Sequence, residues 1–215
     1  MNLREWGPAP GRRLVFWPGL DPFRGERLAA VGPTLADAGV NVLELDPPWD
    51  LSEPDDYLPS RLADLVLETV PFERFVFMGH SWGGSIGVQL AADRPDRLEG
   101  LVLLDAGYRD VELEVSRDQL VDAFEAERER EGQVLERSVA RAAAWALHGV
   151  SREKQTATHE RLQLPILLLL ARDAEGTIPN AEVHRLDAGH DVLEDAPQET
   201  ARLVLEWLAR LPREG

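Results

Sequence analysis

The chain has 215 residues, 44% of them hydrophobic, and is read as one domain spanning 1–215 with enough apolar material for a sizeable core. Its net charge is −16, from 23 basic and 39 acidic side chains, which argues against nucleic-acid binding. The absence of cysteine excludes disulfides, thiolate metal sites and a cysteine nucleophile. The one lysine, Lys154, lies in a polar stretch, so Schiff-base chemistry is set aside. The apolar run "ILLLLA" (166–171) is too short to span a bilayer. The stretch "MNLREWGPAPGRR" at the start is unlike a signal peptide. The expectation is a soluble, cytoplasmic protein with no membrane span.

Strand and helix signals alternate along the chain. "RLVFW" (13–17) reads as a strand that stops at Pro18-Gly19. Residues 23–39 read as a helix interrupted near Gly32-Pro33 and closed by Gly39. "VNVLELD" (40–46) is a second strand, followed by a helix over 56–70 with apolar spacing at Leu62, Leu65, Val66 and Val70. A third strand (74–79) leads into a helix (83–92), and a fourth lies within 98–107. A fifth strand at 165–171, an exposed sixth at 181–187 and an amphipathic helix over 196–211 end the series. This alternation predicts an α/β class protein, with a doubly wound, mostly parallel sheet of about six strands.

Residues 109–163 break the rhythm. "SRDQLVDAFEAERERE" and "VLERSVARAAAWALHG" read as two helices, with a third before Leu164. The expectation is a helical cap inserted over one end of the sheet. Its face around Val139, Ala143 and Leu147 is expected to look toward the sheet edge.

"FVFMGHSWGGSIGVQLA" (75–91) carries the chemistry. Gly79-His80-Ser81-Trp82-Gly83 fits G-x-S-x-G, and it falls between a predicted strand and a predicted helix. A sharp turn there exposes the serine hydroxyl in a strained conformation, and side chains two residues to either side would collide. The helix N-terminus offers free N–H groups for developing negative charge. A serine hydroxyl needs a base to take its proton, usually a histidine oriented by a carboxylate. Of five histidines, His80 should diverge from its neighbour Ser81. His148 and His159 belong to the insertion, and His184 lies in a strand. His190, in "LDAGHDVLED" after the last strand, shares the carboxyl edge of the sheet with Ser81 and is the expected base.

The segments "MGHSWGG", "LVLLDAG" and "DAGHDVLEDAPQE" resemble those of the α/β-hydrolase fold superfamily. The resemblance runs from about Leu14 to the end, apart from the insertion, which corresponds to the family's variable cap. It implies a serine hydrolase with the order Ser, acid, His. By the family's commonest arrangement the acid is Asp173, with Asp105 the rival and Glu175 behind both. Only 16 residues separate Asp173 from His190, so the usual intervening helix is expected to be missing or cut to a turn. The oxyanion hole would take its N–H groups from Trp82 and, in "WPGLDP", from Leu20, with Pro18 standing where relatives often have histidine. Asp21 is expected to point away from the oxyanion. The family's two opening antiparallel strands have no room before Leu14, so a trimmed sheet is expected.

The reaction implied is hydrolysis of an acyl bond of a small-molecule substrate, most simply a carboxylic ester. Thioester, lactone and carbon–carbon hydrolysis, acyl transfer, and a non-catalytic binding module on the same fold stay open. No metal ligand spacing and no G-x-G-x-x-G after the first strand appear, so no metal and no cofactor are expected. Trp17, Trp49, Trp82 and Trp145 are weighed as core residues against a pocket-lining role.

Overall fold

The computed structural model describes residues 3–8, 11–21, 27–130 and 132–212. Seven strands form one sheet: β1 (Leu3–Trp6), β2 (Arg12–Trp17), β3 (Val40–Leu45), β4 (Phe75–His80), β5 (Leu98–Leu104), β6 (Ile166–Leu170) and β7 (Glu182–Arg185). Their order is β1-β3-β2-β4-β5-β6-β7. All neighbours run parallel except β1, which lies antiparallel on β3 with Leu3 opposite Leu45. The sheet is therefore one strand larger than the sequence suggests. A four-residue strand fits before Gly7, and Trp6 lies against Gly32.

The central strands read as continuous apolar runs because both faces are covered. Val15, Trp17, Phe75, Phe77, Leu101, Leu103, Leu168 and Leu170 face α2 (Pro59–Thr69) and α3 (Trp82–Asp93). The alternate residues Leu14, Phe16, Val76, Met78, Val102, Leu104, Leu167 and Leu169 face the other way. They pack with residues of α1 (Gly32–Asp37), of α6 (Val192–Asp195) and of α7 (Pro197–Arg210). The helix expected over 23–39 is only α1. Pro33 starts it rather than interrupting it, since proline's fixed φ suits the first helical turn. Residues 23–26 of that prediction lie outside the described residues.

The inserted stretch is helical, with α4 (Arg117–Arg130), α5 (Arg137–Arg152) and a 3-10 turn at Thr156–Arg161. Ala140 and Ala144 of α5 pack on Val121 of α4. Ala142, Ala146 and Val150 join the cluster that holds Tyr57 and Trp82. The packed face is thus turned from the expected one: Ala143 is buried, but Val139 and Leu147 are only half-buried. The close approach depends on small residues, since a Cβ on Gly149 would sit 2.5 Å from the Tyr57 carbonyl oxygen.

The strand order reverses between β2 and β4: the chain leaves β2 for β3 on one side and returns to β4 on the other. A crevice opens at the carboxyl ends of strands at such a switch point. Gly19, just beyond β2, and Ser81, just beyond β4, meet there.

Candidate active site

Ser81 joins β4 to α3 with φ 51° and ψ −116°, in the positive-φ region that non-glycine residues rarely adopt. The turn is possible only because its flanks are bare. A Cβ on Gly79 would lie 2.3 Å from the Gly83 carbonyl oxygen, and one on Gly83 would lie 2.2 Å from that of Trp17. Gly83→Ala is therefore expected to push α3 off β2. Overpacking of this kind costs about 1–3 kcal/mol. Thermal unfolding should report it as a fall in Tm of roughly 2–12 °C.

His190 stands in the loop between β7 and α6. The Ser81 hydroxyl donates to its Nε2 at 2.9 Å, and its Nδ1–H donates to Asp105 Oδ2 at 2.6 Å. Asp105 follows β5 directly, at φ 46°, a left-handed conformation that aspartate tolerates better than most residues. Its carboxylate is buried, with 6% of the side chain exposed, whereas the His190 side chain is 60% exposed. Burial opposes the Asp105 charge. The hydrogen bonds from His190 and from the Ala171 N–H (3.0 Å) outweigh it, so the net shift is below the ordinary carboxylate pKa. The Tyr108 hydroxyl lies 3.5 Å from the other carboxylate oxygen.

Asp173 does not occupy the place expected of it. It is exposed in the turn after β6, and the His190 ring bonds Asp105 instead. The cause lies in the chain's path. With no helix between β6 and β7, the Arg172 N–H bonds the Ala188 carbonyl at 2.9 Å and the Arg172 guanidinium pairs with Asp187. The Arg185 guanidinium bonds the carbonyl oxygen of Ala174. The turn is drawn to the β7 side, while Asp105 ends the strand next to that of Ser81. Glu175 is likewise exposed.

Gly19 lies against Ser81, as a Cβ there would be 3.2 Å from Ser81 Cβ. Leu20 follows it, and Trp82 opens α3. Among the described residues, the N–H groups of Leu20 and Trp82 have no backbone acceptor. A first-turn helical N–H has none within its helix. Asp21 is held by Arg27 of the following loop and by Arg128 of α4, each at 3.4 Å. Arg128 thereby ties the insertion to the loop beyond β2, at the carboxyl edge of the sheet.

Trp17 and Trp82 are buried core residues in edge-to-face contact at 5.6 Å, and half-buried Trp49 lies 5.7 Å from Trp82. Trp145 is half-buried beside Tyr57. Three further histidines are accounted for locally: His159 is buried against the Gly107 carbonyl, His184 pairs with Glu182, and His148 lies near the Val115 carbonyl. Among the described residues, no three His, Asp or Glu side chains gather as a metal site would require, and no helix is long and apolar enough to cross a membrane.

The sequence profile described as "alpha/beta hydrolase fold" matches residues 46–148. Lipase LipV of Mycobacterium tuberculosis is 37% identical over 128 residues, covering 58% of this chain and 48% of that protein. The provisionally named carbamate hydrolase RutD of Agrobacterium fabrum is 39% identical over 77 residues, or 30% of each chain. These matches span only 30% to 48% of the length of the curated relatives. The enol-lactonase of Burkholderia xenovorans superposes with a TM-score of 0.79 at 20% identity, over 97% of this chain and 96% of that one. The seven-stranded sheet, the serine turn between β4 and α3 and these likenesses together give the chain the α/β-hydrolase fold.

Proposed function

We propose that the protein is a serine hydrolase that cleaves an acyl bond of a small molecule, with a carboxylic ester as the first substrate class. The observation that carries this reading is the unbroken run of hydrogen bonds from Asp105 through His190 to Ser81. In the first half-reaction the Ser81 hydroxyl loses its proton to His190 Nε2 as its oxygen adds to the substrate carbonyl carbon. The carbonyl oxygen takes up the negative charge and accepts hydrogen bonds from the Leu20 and Trp82 N–H groups. Collapse of this adduct breaks the bond to the leaving group, which takes the proton from His190. Water then repeats the sequence on the Ser81 acyl ester, giving up a proton to His190 and releasing the acid with Ser81 restored. Asp105 holds the ring with Nδ1 protonated and stabilises the imidazolium that forms twice per cycle.

The acid assigned here is Asp105, not Asp173, on the strength of the 2.6 Å contact. The insertion, with Arg128 bonded to Asp21 and α5 packed by Trp82, is read as a cap that shapes the entrance. The relatives named as a lipase and as an enol-lactonase support ester chemistry as the starting point. The test is turnover of p-nitrophenyl esters of graded acyl length beside matched thioesters and lactones. Ester cleavage lost in Ser81→Ala supports the reading. A panel on which no member is turned over faster than in buffer contradicts it.

A further inference from the structure

His80 precedes the nucleophile and is the last residue of β4. Alternation along β4 sends Phe75 and Phe77 to the α3 face, and Val76 and Met78 to the opposite face. His80 continues the second set, so its ring passes beneath the sheet edge and not toward Ser81. It is buried, at 2% exposure. Its Nε2 lies 2.9 Å from the His190 backbone carbonyl oxygen. The two rings are 5.1 Å apart, tilted by 41°. A Cβ on Gly19 would be 3.0 Å from His80 Nδ1, so the same ring floors the loop that carries Leu20.

A carbonyl can only accept, so Nε2 carries the proton and Nδ1 is bare. Nδ1 has no partner among the described residues. Burial holds the His80 pKa below its ordinary value, against the opposing effects of the His190 carbonyl and Asp191. The ring therefore stays neutral beside His190, Asp191 and Arg27, the groups that face it.

His190 itself is poorly braced. Its side chain is largely exposed, and its hydrogen bonds among the described residues are those at its two nitrogens. Its loop is fixed upstream by the Ala188 carbonyl, which accepts from the Arg172 N–H, and by the Gly189 N–H, which donates to Asp195 at 2.8 Å. At His190 the backbone is fixed through its carbonyl, by His80.

We propose that His80 is a positioning residue: its Nε2–H, bonded to the His190 carbonyl beneath Gly19, ties the base loop and the oxyanion loop to the strand that presents Ser81. The role rests on the hydrolase reading of Ser81 and His190. The ring sets the height of His190 over β4, so that its Nε2 meets the serine hydroxyl with Nδ1 still on Asp105. A shift of about 1 Å in a reacting group can cost ~10² in rate.

Three variants separate this from simple filling of space. His80→Gln places an amide N–H close to where Nε2 stands. His80→Leu fills volume without a donor, and His80→Asn has a donor too short to reach. Two quantities are read on each folded variant: the rate of Ser81 labelling by a fluorophosphonate, and the far-downfield proton of His190 Nδ1–H in the proton NMR spectrum. Gln should keep the labelling rate within about tenfold and keep the downfield proton sharp. Leu and Asn should label ~10² more slowly, with the proton broadened or lost. Concentration dependence should put the loss in the maximal labelling rate, not in reagent affinity. Equal losses in Gln and Leu, or an unaffected Leu variant, would overturn the proposal. Should the wild type not label at all, the hydrolase reading fails, and the downfield proton still decides whether His80 holds the His190 loop. If Leu does not fold, Asn and Gln make the same comparison.

Discussion

Ser81→Ala is expected to abolish turnover of any ester the wild type hydrolyses, while leaving the fold intact. Removing a triad nucleophile lowers kcat by ~10⁶, leaving only what the oxyanion donors and binding supply. The residual rate should depend little on His190, because the members of such a triad act as a unit. Stability should change little or rise. Alanine removes a hydroxyl whose hydrogen bond among the described residues is to a largely exposed ring, although the positive φ at 81 persists. The checks are kcat on the best ester of the panel and Tm by calorimetry. A variant that keeps more than a small fraction of activity would remove Ser81 from the chemistry.

Asp105→Asn should be the next most damaging change, at ~10⁴ in kcat, because an amide facing Nδ1 favours the wrong imidazole tautomer. Asp173→Asn should stay within a few-fold of the wild type, since Asp173 is exposed in a turn away from His190. The Asp105 variant should also lose a pH-dependent part of the stability. The folded-state pKa of Asp105 is depressed relative to the unfolded chain. Its contribution is present above the unfolded aspartate value of about 3.9 and is lost as pH falls through the lower folded value. Wild type should therefore lose its advantage over Asp105→Asn on acidification through that window. Denaturant unfolding at several pH values measures this, alongside kcat for the two Asn variants. A reversed ranking of the two variants would return the orienting role to Asp173.

The serine turn and the histidine that meets it were legible in the sequence because each is tied to a local pattern. Gly79 and Gly83 must be bare for Ser81 to turn, and that need is written within five residues. His190 follows from its place between the last strand and the last helix. Which carboxylate His190 bonds was not legible, because it depends on where a loop travels. Asp105 and Asp173 both follow parallel strands, and a rule of position favours the later one. What decides between them is the pinning of the β6 turn by Arg172 and Arg185, contacts among residues far from any motif. The short spacing to His190 was the one available hint. Strand β1 was not legible because Leu3-Arg4-Glu5-Trp6 alternates in burial but not in polarity, so it carries no two-residue period. The packed face of α5 was misjudged for a different reason. With alanine at 140, 142, 143, 144 and 146, its apolar residues surround much of the helix, and small residues let more than one face pack closely. The contact of His80 with His190 was hidden for the same reason as that of Asp105, since its partner lies 110 residues away.

The most direct test of the Ser81–His190–Asp105 assignment is the rate and site of fluorophosphonate labelling in three proteins: wild type, Asp105→Asn and Asp173→Asn. The adduct is located by peptide mass spectrometry. The account predicts a single adduct on Ser81, formed at similar rates in wild type and Asp173→Asn and orders of magnitude more slowly in Asp105→Asn. An adduct on another residue, or slow labelling in Asp173→Asn with Asp105→Asn unimpaired, would contradict it.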